Sequence, residues 1–151
     1  MPHQYTSRDF GKTKNHLEVT VPERLIHPQV TLGNEDKSFS EEREHPVHIV
    51  DLPSKTLSMT IGGLLAGQST SNHRHTYETV IYVTKGFGHT VVEGQRIDWK
   101  SGDAIYIPQW AWHQHVNDSN EESAEYIACE NAPMLQNLGV AIREEAGDTP
   151  T

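Results

Sequence analysis

Basic charge, cysteine and long apolar runs are what this chain has least of, and each shortage removes a class of function. Twelve lysines and arginines stand against 21 aspartates and glutamates, a formal net charge of −9 over 151 residues. Neutralising phosphates takes basic patches, so neither a nucleic acid nor an anionic membrane is expected as a partner. The single cysteine, Cys129, excludes an internal disulfide and a cysteine-type zinc site. It closes the apolar run Tyr126-Ile127-Ala128-Cys129 and reads as a small core residue. The longest weakly polar stretch, Ile61 to Gly67, is far too short to cross a bilayer. Met1 to Asn15 is polar and lacks the apolar stretch of a signal peptide, so a cytoplasmic protein is expected.

Short β-prone runs fill the middle of the chain. Val47–Val50, Leu57–Ile61, Glu78–Thr84, Thr90–Val92, Arg96–Trp99, Ala104–Ile107, Gln114–Val116 and Ala124–Ala128 read as strands. Pro53, Gly67, Gly86, Glu93-Gly94 and Ser101-Gly102-Asp103 punctuate them, and Glu93-Gly94 suits a tight hairpin. Many short strands without an amphipathic helix between them predict an all-β sandwich or barrel. We expect three parts. Residues 1–46 form a polar arm, with short strands at Val19–Val21 and Gln29–Leu32, that wraps the barrel or a partner subunit. Residues 47–142 form the barrel, with a short helix near Met134–Leu138. Residues 143–151 form a solvated tail.

Ten histidines are present, and four of them form two His-x-His pairs, His73/His75 and His113/His115. Alternate residues of a strand share a face, so each pair can reach into one cavity. Neutral imidazole is the commonest transition-metal ligand, and three of them leave positions open for chemistry. His3, His16, His27, His45 and His48 follow no ligand spacing and read as surface or turn residues. His89 and Glu93 share a strand face and read as structural.

The residues around the pairs carry a resemblance. Gly67, five residues, His73-Arg74-His75 and Gly86 are followed by Gly102, five residues, Pro108, His113, three residues and Asn117. This spacing resembles the two-part cupin pattern, which implies a jelly-roll β-barrel. Two positions depart from it. The pattern's usual glutamate ligand falls on Thr79, with Glu78 one residue early and facing away from the histidines unless a bulge turns it inward. Trp110 stands where a glycine is usual. Both departures are similar to the gentisate, salicylate and 1-hydroxy-2-naphthoate dioxygenases, with their own His-Arg-His and Pro-x-Trp-x-Trp-His-x-His runs. That resemblance implies His73, His75 and His113 as ligands of Fe(II), and His115 as a histidine contacting substrate or dioxygen. Those enzymes also carry an arginine, in the strand after His-Arg-His, that helps hold the substrate carboxylate. Ile81 occupies that place here.

The expectation is a single-domain cupin, a mononuclear metal-dependent dioxygenase that uses dioxygen on a small hydroxylated aromatic or other chelating substrate, as in aromatic catabolism. Fe(II) is the first choice of metal, with Mn, Ni or Zn as alternatives. Glu78 is a candidate fourth ligand, and His115 the candidate catalytic residue. Tyr77, Thr79, Ile81, Trp110, Trp112 and Asn117 are the expected substrate pocket. Arg74, alternating outward from its neighbours, reads as an ion-pair or interface residue. A homodimer is expected, because barrel edges and a long arm call for cover. The alternatives are a metal-dependent lyase or isomerase acting on a small carboxylate, which gains if Glu78 ligates, or a non-catalytic metal- or ligand-binding barrel.

Overall fold

The computed structural model describes residues 19–31, 40–41 and 45–147. In chain order the strands are β1 (Val47–Val50), β2 (Ser58–Leu64), β3 (His73–His75), β4 (Thr79–Lys85), β5 (Phe87–Val92), β6 (Gln95–Lys100), β7 (Ala104–Ile107), β8 (His113–Asn117) and β9 (Ala124–Glu130). Helix α1 (Ala132–Asn137) and strand β10 (Arg143–Glu145) follow. Two five-stranded antiparallel sheets result, ordered β1-β2-β9-β4-β7 and β10-β3-β8-β5-β6. This is the all-β jelly-roll expected, and the strand runs read between Val47 and Ala128 fall within observed strands or overlap them by most of their length. No helix among the described residues is long and apolar enough to cross a membrane.

Alternation decides which way each strand faces. In β4, Thr79, Ile81 and Val83 are buried while Val80 and Tyr82 are about half exposed. In β7, Ile105 and Ile107 point in and Tyr106 points out. Ile81, Val83, Trp99, Ile105, Ile107, Ala124 and Ala128 form the apolar core between the sheets. Trp99 reaches that core because Gly88 faces it across β5/β6. A Cβ on Gly88 would lie 2.7 Å from the indole and would also collide with the Val116 carbonyl. The β5–β6 hairpin turns on Glu93 and Gly94, at φ of 47° and 79°. Both residues are left-handed, as a two-residue turn of this twist requires.

Four expectations fail here. Val19–Val21 is irregular rather than a strand, and residues 28–31 form a turn; Leu32 lies outside the described residues. Prolines 22 and 28 leave this segment little capacity for a ladder. Arg143–Glu145 is not solvated tail but an edge strand on β3, with Arg143 opposite His75 and Glu145 opposite His73. It is tied in on both sides, by Thr76 N–H to the Ile142 carbonyl (3.0 Å) and Ala146 N–H to the Asn72 carbonyl (2.8 Å). Residues 148–151 lie outside the described residues. Cys129 is exposed instead of buried. It alternates with the inward Ala128 and sits opposite Val80, on the outer face of the first sheet. Finally, His45 is not a surface histidine but lines the internal cavity described next.

Candidate metal centre

Register brings the histidines together. His73 and His113 are direct cross-strand partners of β3 and β8, so their side chains leave the sheet on the same side, and His75 and His115 follow two residues along. The ring centroids of His73, His75 and His113 are 4.3 to 5.8 Å apart. One ligand atom of each lies within 4.8 Å of the others, and all three residues are buried. All four histidines of the two pairs line a cavity of about 110 Å³ between the sheets.

The backbone fixes which nitrogen is offered. Nδ1 of His73 lies 2.9 Å from the Ser71 carbonyl, Nδ1 of His75 2.9 Å from the Tyr77 carbonyl and Nδ1 of His113 2.8 Å from the Ala111 carbonyl. A carbonyl only accepts, so each Nδ1 carries the proton and each Nε2 keeps its lone pair. Three lone pairs on nitrogens gathered within 4.8 Å, each with the opposite nitrogen held by a carbonyl, form a donor set suited to a transition metal. The His73 and His113 rings are also kept neutral. Burial, and then the nearby His113, push His73 down to about 2. Burial likewise lowers His113. Tyr77 stacks flat on His75, with centroids 3.9 Å apart, and holds that ring in its plane.

His115 differs from the other three. Its Nδ1 is 2.8 Å from Thr90 Oγ1, and Trp99 Nε1 is 2.9 Å from the same oxygen. The indole N–H can only donate, so the Thr90 oxygen accepts from it. The hydroxyl proton, fully buried with Thr90, then goes to Nδ1 of His115. His115 therefore carries its own proton on Nε2 and offers a donor where its three neighbours offer lone pairs. Burial, and then the adjacent His113, lower it to about 3, so it stays neutral.

Of the expected pocket residues, Tyr77, Thr79 and Ile81 line the cavity; Trp110, Trp112 and Asn117 do not. The two indoles instead clamp the Arg74 guanidinium, whose carbon lies 4.2 Å from one ring centre and 4.6 Å from the other. Arg74 also pairs with Glu144 at 2.7 Å, in line with its outward reading. Trp110 has φ of 61°, so the position where a glycine is usual keeps the glycine conformation. The strain, about 1 kcal/mol or more, is carried by the Arg74 clamp and by the Trp110 N–H to His75 carbonyl bond of 2.8 Å. Asn117 is a buried brace. Its amide donates to the carbonyls of Leu64, Leu65 and Glu122 and its oxygen accepts from Ser119 N–H.

Glu78 does not swing inward. Its carboxylate accepts from the Tyr106 hydroxyl at 2.6 Å and from the Asn131 amide at 3.4 Å, and it is outside the three-histidine group. The backbone explains this: Asn131 Oδ1 takes the Glu78 N–H at 2.8 Å, and β4 starts at Thr79 without a bulge there. His89 and Glu93 are structural as read, His89 on Asp118 and Glu93 on the Trp112 N–H. The reading of the sequence missed Glu130, Tyr126 and Arg143, which also line the cavity. Alternation in Ala124–Glu130 could have suggested the first two. Nothing in the sequence pairs Arg143 with His75 across 68 positions.

Comparison with known proteins agrees with this geometry. Residues 62–129 match the cupin domain family. Over 95 residues the chain is 38% identical to the 5-aminosalicylate 1,2-dioxygenase of Comamonas sp, covering 63% of this chain and 25% of the relative. Over 91 residues it is 35% identical to gentisate 1,2 dioxygenase 1 of Aquipseudomonas alcaligenes, covering 54% and 26%. The match thus spans about a quarter of the length of these two relatives. The solved salicylate 1,2-dioxygenase of Pseudaminobacter salicylatoxidans superposes with a TM-score of 0.64 at 21% identity, covering 69% of this chain and 31% of that one, a likeness of fold. With the two-sheet barrel and its paired histidines, these matches place a cupin domain over residues 62–129 and make the chain similar to the gentisate and salicylate dioxygenases.

Proposed function

We propose that the protein is a mononuclear Fe(II) dioxygenase acting on a small hydroxylated aromatic compound. The observation that carries this reading is the three-imidazole set, each Nδ1 held by a backbone carbonyl and the ligand atoms within 4.8 Å of one another. His73, His75 and His113 would hold the metal. Bound there, Fe(II) would offer open coordination positions on the cavity side to a chelating substrate and to dioxygen. The neutral ligands leave its full charge uncompensated, which favours an anionic chelator. His115 presents its Nε2–H to the same space and donates a hydrogen bond to a substrate or dioxygen oxygen, stabilising negative charge as it develops there. Ile81 and Ala128 supply an apolar wall to the cavity of about 110 Å³. The protein's activity is the subject of the test: metal content by mass spectrometry on untagged protein, with anaerobic Fe(II) loading followed by oxygen uptake on gentisate, salicylate and catechols. About one iron per chain with substrate-dependent uptake, both lost in H73A, is the expected result. A full complement of zinc, nickel or manganese with no uptake would sink it.

The lyase or isomerase alternative would gain from Glu78 as a fourth ligand, and the Glu78 carboxylate is engaged by Tyr106 and Asn131 instead. A homodimer is the assembly we infer. Val80, Tyr82 and Tyr106, about half exposed on the outer face of the first sheet, support it as an apolar face that a second copy would cover. Sedimentation equilibrium tests it, with twice the 17.0 kDa chain mass expected.

A further inference from the structure

We propose that Arg143 is the anion subsite of this cavity and holds a carboxylate of the substrate beside the three histidines. The proposal rests on the dioxygenase reading above and names the residue within that site that meets an anionic group of the substrate.

Register puts the arginine there. Arg143 is the direct partner of His75 in the β10–β3 ladder, and partners of an antiparallel pair project from the same face. Its side chain, 23% exposed, lines the cavity with His73, His75 and His113. It is the only lysine or arginine among the described residues that does so. The positive charge is close enough to bear on both His73 and His113.

The donor count leaves it able to bind. A guanidinium has five N–H groups. Arg143 spends Nε–H and one Nη2–H on a single oxygen of Glu145, at 2.8 and 2.7 Å. The two hydrogens of Nη1 and the second of Nη2 make no hydrogen bond to the described residues. Adjacent Nη1–H and Nη2–H form the end-on fork that matches a planar carboxylate. Glu145 holds the arginine still, because its other oxygen accepts from Ser71 Oγ at 2.5 Å, and the carbonyl of that same Ser71 accepts from His73 Nδ1. The anion subsite and one metal ligand are thus braced by one residue. The strand after His-Arg-His brings no cation to the cavity, since its lining residues there are Thr79 and Ile81.

The test is calorimetric titration of the Fe(II)-loaded protein without oxygen, using gentisate and hydroquinone, which is the same dihydroxy ring without the carboxylate. R143M, of similar length, should weaken gentisate by about tenfold or more and hydroquinone by less than about twofold. R143K keeps the charge and the Glu145 pair but loses the fork, so it should fall between wild type and R143M for gentisate alone; it also serves if R143M misfolds. Iron content near one per chain in each variant separates this effect from loss of the metal. Equal weakening of both compounds, or of neither, would overturn the arginine assignment and leave the dioxygenase reading standing. Failure of the iron-loaded wild type to bind either compound would overturn both.

Discussion

The two sheets face one cavity with different materials. The inner face of β10-β3-β8-β5 presents nitrogen: four imidazoles and the Arg143 guanidinium. The inner face of β1-β2-β9-β4 presents Val47, Thr60, Ile81, Ala128 and, near its edge, Thr79 bonded to Glu130 at 3.1 Å. One sheet supplies donors and lone pairs, and the other supplies a more apolar wall. The difference teaches how such a barrel separates its tasks. Polar groups cluster where backbone carbonyls and a buried threonine satisfy their second nitrogens.

Substitution on each side should therefore break different properties. The largest effect is expected from H113A, which removes a lone pair from the centre of the triad. Metal affinity should fall by more than the roughly 100-fold that losing an outer hydrogen-bond partner costs, while the urea midpoint of the metal-free protein changes little; competition against a chelator and denaturant titration read the two. I107A, on the apolar side at 0% exposed, should do the reverse. It should lose about 2–5 kcal/mol of stability with metal stoichiometry intact. If I107A also emptied the metal site, the division of labour between the sheets would be wrong.

A smaller effect concerns pH. Burial keeps His73 near 2, His115 near 3 and His113 below its ordinary 6.5 in the metal-free fold. Once unfolded, these imidazoles take up protons near 6.5, so below that pH the unfolded chain binds more protons than the folded one. Stability should be fully present above about pH 7 and should decline as pH falls through 6.5 toward 3, by up to about 1.4 kcal/mol per pH unit for each group. H115Q should flatten that slope in a urea series at several pH values. An unchanged slope would mean that His115 is protonated in the fold, against the Thr90 and Trp99 arrangement.

The smallest effect is expected from E78Q on the outside of the barrel. Its partner Tyr106 is exposed, and surface changes of this kind stay within about 0.5 kcal/mol. Metal content should not change. The Tyr106 phenol, raised above its ordinary value by the hydrogen bond to Glu78, should titrate lower in an ultraviolet pH series. Loss of metal in E78Q would restore the four-ligand reading.

Much of this was legible in the chain. The period-2 runs of β4 and β7, the glycine-bearing turns at positions 86, 94 and 102, and the two His-x-His pairs needed only local rules, because strand alternation acts over two residues. The departures at Thr79 and Trp110 were legible as well, and the left-handed backbone at Trp110 agrees with its standing at a glycine's place. Trp110 and Trp112 were misassigned to the pocket because a Trp-x-Trp run does not say which face it takes. The Arg74 side chain between them, on a strand 36 residues earlier, decides that. Cys129 was misread because an apolar run of four does not reveal which alternate residues face out.

By itself the sequence determined the strand content, the histidine pairs and the kind of barrel that spaces them so. Tertiary structure alone decided that His73 lies opposite His113, that Glu78 turns to Asn131, and that Arg143 comes back beside His75. The reason is physical: alternation and turn geometry are properties of neighbouring residues. Pairing between distant strands is set by the register of the whole sheet, and a polar segment such as Arg143-Glu144-Glu145 shows no strand signal until a ladder edge is there to receive it.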